Sequence, residues 1–178
     1  VWPTIRVQES FKDGLDAISL TEHLEYQPYS ADIPNTDRNR AYHIAKKYAD
    51  NENKKLNETD KLLVINGQEI TRKMPPGHIN AIFLEDANPL LNLEDSVKGI
   101  LEANEQGAFV FWNHPAWPAQ RSNGIAKLDS LHRYLISNKL IHGIEIVNEL
   151  TYSEEAFKIA IENDLTIMGT SDIHGLID

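Results

Sequence analysis

The sequence predicts an α/β fold: a parallel sheet covered by helices, either doubly wound or closed into a barrel. Short apolar runs alternate with segments of helical periodicity along the whole chain, the rhythm of strand, crossover helix and next parallel strand. Histidines and carboxylates gather at the edges of those runs, in Thr21-Glu22-His23, Gln68-Glu69, Gly77-His78, Asn113-His114-Pro115 and Ser171-Asp172-Ile173-His174. His23, Glu69, His114 and the Asp172/His174 pair follow their runs, whereas His78 precedes one. If the strands are parallel, all but the His78 group emerge at one end of the sheet.

The elements follow in order. Pro3 to Lys12 reads as a helix ended by Gly14, and Asp16 to Leu20 as a short buried strand. Asp37 to Asp50 is predicted helical because Ala41, Ile44, Ala45 and Tyr48 recur three or four apart and so share an inward face. Leu62–Ile65 and Ile79–Leu84 read as strands. Asn92 reads as the cap of a helix running to about Gln106 and closed by Gly107. A strand at Ala108–Trp112 precedes a helix at Ala126–Asn138 with Leu128, Leu131, Leu135 and Ile136 on one face. Ile144–Val147 is a strand, Ser153 caps a helix to Asn163, and Leu165–Met168 is the last strand. Six strands are expected in all. A complete eight-stranded barrel takes roughly 250 residues, and this chain opens on a helix and stops soon after the Asp172/His174 loop, so both ends read as clipped. The least regular segments, Glu25–Thr36 and Ala116–Gly124, are long enough to line a site.

At 178 residues the chain is expected to form one domain, residues 1–178, with a substantial core. It holds 17 Lys+Arg against 27 Asp+Glu, a net charge of −10, which argues against duplex nucleic acid as a partner. A small anionic substrate stays open if bound cations supply the attraction. No cysteine is present, so disulfides and thiolate metal sites are excluded. No run approaches the roughly 20 apolar residues of a membrane span. The chain begins Val1-Trp2-Pro3 without a methionine, so the start reads as not the genuine one. The compartment, cytoplasmic or periplasmic, and the oligomeric state stay open.

Each chemical motif is weak alone. A single histidine such as His23 at a strand end is more often a hydrogen-bonding residue than a ligand, and a strand-tip carboxylate such as Glu69 is usually just solvated. Glu69 gains interest because a carboxylate can bridge two cations, which an imidazole does not do. His114 precedes Pro115, which disfavours helix at that position. Asp172 and His174 are two apart and would share a face of an extended chain. Jointly the reading changes: four of the seven histidines (His23, His78, His114, His174) occupy strand edges, and imidazoles with carboxylates at one barrel mouth suit a cluster of divalent metals. His43, His132 and His142 read as structural or exposed. No nucleophile elbow, P-loop, dinucleotide fingerprint or HExxH motif competes, although Ser171 lies beside Asp172 and His174. Trp112 and Trp117 are expected in a pocket wall or the core. Arg38, Arg40, Arg72 and Arg121 fall in or near the long loops, where Arg38, Arg40 or Arg121 would be placed to clamp an anionic oxygen.

The ordered set DGLDAISLTEH, NGQEIT, GHINAIFL, FWNHP, GIEIVN and GTSDIHG resembles the PHP (polymerase and histidinol phosphatase) family of metal-dependent phosphoesterases, closest to its stand-alone, histidinol-phosphatase-like members. The resemblance implies a distorted (β/α)7 barrel whose first strand is missing from this chain. It implies two or three divalent ions, zinc, manganese or iron: Glu69 bridging two of them, His78 and His114 completing the second, Asp172 joining Glu69 on the first, and His23 and His174 on a third. Glu69, Asp172 and His174 would be the catalytic residues, and a metal-activated water would attack phosphorus in line. The family's first-strand H-x-H pair and a following His or Asp ligand have no counterpart here. The expected activity is phosphomonoester hydrolysis on a small metabolite or nucleotide. Its rivals are a non-catalytic, metal-poor PHP-like module and an amidohydrolase-like carbon–nitrogen hydrolase, which usually bridges its metals with a lysine.

Overall fold

The structure, a computed structural model, describes residues 1–26, 30–31, 36–91 and 95–177. Pro3 occupies the first turn of α1 (Pro3–Lys12), where its missing N–H costs nothing, and Gly14 follows at φ +70°. Helix α2 (Arg40–Asn53) begins three residues later than the expected Asp37. The preceding residue, Asn39, turns its side chain to the sheet instead: its carbonyl accepts from Asn66 Nδ2 at 2.9 Å and from the Ala87 amide at 2.8 Å, while its amide donates to Asp86 at 2.6 Å. Ala45 and Ala49 are the buried residues of α2; Ala41, Ile44 and Tyr48 are only half-buried.

The strands are β1 (Ala17–Leu20), β2 (Leu63–Ile70), β3 (Ile79–Ile82), β4 (Phe109–Trp112), β5 (Gly143–Asn148), β6 (Thr151–Tyr152) and β7 (Thr166–Thr170). Their sheet runs β1-β2-β3-β4-β5-β6, with β7 on the other side of β5. It is mixed rather than parallel, which corrects the expected topology. β1/β2, β4/β5 and β5/β7 are parallel, whereas β3 runs antiparallel to both β2 and β4. Among the described residues no pairing joins β1 to β7 into a closed barrel.

Two departures matter for the site. β2 continues through Asn66-Gly67-Gln68-Glu69, which alone looks like a turn, because pairing with β1 and β3 satisfies its backbone. Gly67 is required there: a Cβ would lie 2.6 Å from Ser19 Oγ and 3.0 Å from the Ala81 carbonyl. The reversal of β3 then puts its first residues beside the last residues of β2, pairing Ile79 with Ile70 and Asn80 with Glu69. His78, which opens its strand, thereby arrives at the same sheet end as Glu69, which nearly closes its own.

Helix α3 (Ser96–Glu105) is capped by Asp95, whose carboxylate accepts from the Val97 amide at 2.9 Å. The expected cap, Asn92, lies outside the described residues. Helix α4 (Ser130–Ser137) starts later than Ala126, yet Ala126 and Leu128 are still buried ahead of it. In α5 (Glu154–Glu162) Ser153 accepts from the Ala156 amide as expected. The main core joins Ile70, Ile79, Ala81, Val110, Trp112 and Ile144 of the sheet to residues of α3, α4 and α5. A smaller one joins α1, α2, β1 and β2 through Val7, Ala45, Ala49, Leu20 and Val64. Arg6 of α1 donates to the Gly175 carbonyl at 2.6 Å, and Glu9 accepts from the Ile177 amide at 2.9 Å, so α1 fixes the segment that follows β7.

Leu135, fully buried in the main core, measures how much that core contributes. Leu135→Ala is expected to lower unfolding free energy by about 2–5 kcal/mol in urea denaturation; a change within error would mean that α4 packs only loosely.

Candidate metal centre

Glu69 is the hub of a polar cluster at the β2, β3 and β4 ends. It is buried to 2 % exposure, and its carboxylate touches three elements. Oε1 lies 2.6 Å from His78 Nδ1 and 3.4 Å from His23 Nδ1, and accepts from the Thr71 hydroxyl at 3.2 Å. Oε2 accepts from Asn113 Nδ2 at 3.3 Å. Burial alone would raise this carboxyl's pKa, but the imidazoles of His23 and His78 outweigh it and hold the group well below the usual carboxylate range. Glu69 is therefore an anion in a nearly dry place.

His78, on the other strand of the hairpin, is set by its surroundings. Its amide donates to Gln120 Oε1 at 3.3 Å, and its carbonyl accepts from the Asn113 amide at 3.0 Å. The 2.6 Å approach of its Nδ1 to Glu69 is short, yet it is not directed as a hydrogen bond, and among the described residues that buried nitrogen has no hydrogen-bond partner. His114, two residues past β4, has a left-handed backbone, φ +28°, and its own Nδ1 is likewise buried without a hydrogen-bond partner among the described residues. Burial lowers the His114 pKa to about 4, so this ring is neutral at pH 7 with a lone pair free. One ligand atom each from Glu69, His78 and His114 lie within 4.8 Å of one another. Two imidazoles and a carboxylate, with buried nitrogens that find no hydrogen-bond partner among the described residues, are a donor set that fits a divalent cation.

The other expected site residues surround this trio. His23 pairs with Glu69 in an isolated parallel bridge, and its Nδ1 lies 2.7 Å from the Thr71 hydroxyl. Its pKa is raised chiefly by the contact with Glu69, against the lowering effect of burial. Asp172 Oδ2 lies 3.8 Å from His114 Nε2, and burial, then the Glu69 charge, raises its carboxyl. His174 is the most open member, with a side chain 68 % exposed; its ring centre is 5.9 Å from that of His23, and its Nδ1 lies 2.7 Å from the Asp172 carbonyl. Asp172 also has a left-handed backbone, φ +47°, so Asp172 and His174 do not project from an extended chain as expected.

Among the described residues the arginines lie around the cluster without reaching it. The Arg38 amide donates to Asn88 at 2.8 Å, beyond the end of β3 opposite His78, and Arg40 lies 5.7 Å over the Trp2 ring. Arg121 is tied down by the Lys127 carbonyl and Asp129. Among the described residues none of the three is seen to touch the cluster. Arg72, beside Thr71, pairs with Glu25.

Sequence reasoning missed Glu145. It is 1 % exposed on β5 and accepts from the His114 amide at 2.6 Å, from Asn148 Nδ2 at 2.9 Å and from the Thr170 hydroxyl. Burial raises its pKa despite those bonds. The available signal was a lone charge inside the apolar run GIEIVN. His132 and His142 are structural: His132 Nδ1 accepts from the Asp129 amide at 3.1 Å, its Nε2 donates to the Pro76 carbonyl at 2.7 Å, and the ring stacks 4.0 Å from Trp112. His142 Nδ1 accepts from the Val110 amide at 3.0 Å.

Glu145→Leu is expected to cost about 1–3 kcal/mol in urea denaturation, because it strands the buried His114 N–H. Glu145→Gln should be much milder: its amide oxygen can keep the His114 and Asn148 donors while the Thr170 hydroxyl rotates. Equal losses in the two variants would contradict this account.

The fold has known counterparts. Over 98 % of its length the chain matches, with TM-score 0.88 and 45 % identity, a Bacteroides vulgatus two-domain protein containing a predicted PHP-like metal-dependent phosphoesterase. The chain spans 48 % of that protein, about half its length. A Bifidobacterium adolescentis protein, provisionally assigned as a metal-dependent phosphoesterase, matches in fold with TM-score 0.67 at 13 % identity, over 98 % of this chain and 82 % of its own. No family model and no curated protein matches the sequence. In fold, and in sequence identity to the Bacteroides protein, the chain is PHP-like.

Proposed function

We propose that this protein is a metal-dependent phosphoester hydrolase, a phosphomonoesterase acting on a small anionic metabolite or nucleotide. The observation that carries the reading is the buried Glu69–His78–His114 trio, with its converging ligand atoms and two imidazole nitrogens that no group among the described residues hydrogen-bonds. The likeness to proteins described as metal-dependent phosphoesterases supports it. We read residues 1–178 as one PHP-type unit whose strands belong to a distorted (β/α)7 barrel; the ties of α1 to residues 175 and 177 support this by drawing the β7 end toward β1.

His78 and His114 would hold one divalent ion with an oxygen of Glu69. Asp172 and the same carboxylate would hold a second, and His23 and His174 a third; zinc, manganese and iron all suit such ligands. When bound, such ions supply positive charge to a phosphate and lower the pKa of water toward neutrality. The protein residues do the rest. Glu69, held anionic, offers one oxygen toward His78 and His23 and the other toward Asn113. Thr71 and Asn113 fix its orientation, and Glu145 fixes the backbone that carries His114. In place of ligating an ion, His174, exposed at the rim and hydrogen-bonded to the Asp172 backbone, would be the alternative general acid toward the leaving oxygen. With a net charge of −10, the protein would attract an anionic ester only where cations are bound.

Glu69→Gln tests the assignment, since a neutral amide bridges cations poorly. Metal content by elemental analysis should fall, and hydrolysis across a phosphate-ester panel should drop beyond the ~10–100-fold typical of residues that only orient ligands. Retention of both would refute the reading. His142→Ala, which removes the acceptor for the buried Val110 amide at the opposite end of β4, should cost about 1–3 kcal/mol of stability. It should leave turnover near wild type; a large loss of rate would mean the histidines are wrongly sorted.

A further inference from the structure

The two tryptophans that follow one another in and after β4 have opposite fates. Trp112 is 1 % exposed, in the main core against His132, as its apolar bulk requires. Trp117 is 45 % exposed, although it lies beside the most buried part of the metal cluster. Its ring centre is 5.5 Å from that of His78 and 5.1 Å from that of His114. The planes cross at 56° and 64°, so neither imidazole stacks flat on the indole.

This exposure is not slack. The Trp117 amide donates to the His114 carbonyl at 2.9 Å, and the Trp117 carbonyl accepts from the amides of Gln120 and Arg121, each at 2.9 Å. Gln120 in turn donates to the Arg72 carbonyl at 3.0 Å and accepts from the His78 amide, while Arg121 is held by Lys127 and Asp129. The turn carrying the ring is thus braced to the strand ends that carry His78 and His114. A large flat side chain kept half in water, on a braced turn, beside the proposed phosphate anchor, is positioned to stack against whatever the phosphate carries.

We infer that Trp117 walls a subsite for the leaving group and selects phosphate esters that bear a flat aromatic ring over aliphatic ones. The inference rests on the phosphoesterase reading. Stacking on a protein aromatic is sequence-tolerant and shape-selective, because it needs only a π-face of the right orientation. Trp117 would therefore act on substrate affinity, with little influence on the attack at phosphorus.

Phenylphosphonate and methylphosphonate share one anionic head, resist hydrolysis and differ in the ring alone. Their affinities for the zinc- or manganese-loaded protein can be compared by titration calorimetry. Wild type should prefer phenylphosphonate by on the order of tenfold. Trp117→Ala should erase that preference while leaving methylphosphonate affinity unchanged, and Trp117→Phe should keep most of it. An unchanged preference in Trp117→Ala would overturn the inference and leave the phosphoesterase reading standing. Failure of wild type to bind either phosphonate, with metal present, would overturn that reading and this inference with it. If Trp117→Ala loses methylphosphonate too, Trp117→Leu, which keeps apolar bulk without a ring, decides by the same ratio: loss of preference supports the subsite and retention refutes it.

Discussion

A carboxylate that stays ionised while buried is the constraint around which this molecule is arranged. An isolated charge at 2 % exposure would be strongly disfavoured, so Glu69 has to be surrounded by groups that favour its ionised form. Those groups come from far apart in the chain: His23 after β1, His78 before β3, Asn113 after β4 and Thr71 just beyond β2 itself. Each contact is possible only because the sheet delivers the strand ends to one edge. The fold and the site are therefore two descriptions of one requirement.

The reversed strand β3 is the structural device that meets it. The connection after β2, residues 71–78, brings the chain back antiparallel, so His78 faces Glu69 across adjacent strands instead of across a long crossover. That hairpin puts a polar row, Asn66-Gly67-Gln68-Glu69, into the middle of the sheet, and Gly67 lets Ser19 and the Ala81 backbone approach closely. On the neighbouring strands Glu145 does for His114 what Thr71 and Asn113 do for Glu69. It satisfies a backbone group in a left-handed conformation that no apolar residue could satisfy.

The cluster also orders its members by exposure. Glu69, His78 and His114 lie at the bottom, Asp172 and His23 are half-buried, and His174 is at the rim with Trp117 on the flank. Such a gradient suits a site in which the deep groups are held in place by their surroundings and the shallow ones are open to a ligand. The chain's net charge of −10 means that the anionic ester of the proposed function would have to be recognised locally, because the long-range field of the protein opposes it.

Much of this was legible in the sequence. Local propensity and periodicity identified α1, the approximate strands and the Ser153 cap, because those depend on neighbours three or four residues away. The ordered motifs were enough to place His23, Glu69, His78, His114, Asp172 and His174 together as candidates. Strand direction was not legible, since antiparallel return and parallel crossover share the same apolar pattern, and only pairing with β2 and β4 decided it. The start of α2 was missed because the Asn39 side chain is used across the sheet by Asn66 and Ala87. Glu145 was missed because its partners, His114 and Thr170, lie 31 and 25 residues away. The surroundings of the arginines were illegible for the same reason: that Arg121 meets Asp129 and Arg40 the Trp2 ring depends on distances that no one-dimensional pattern carries.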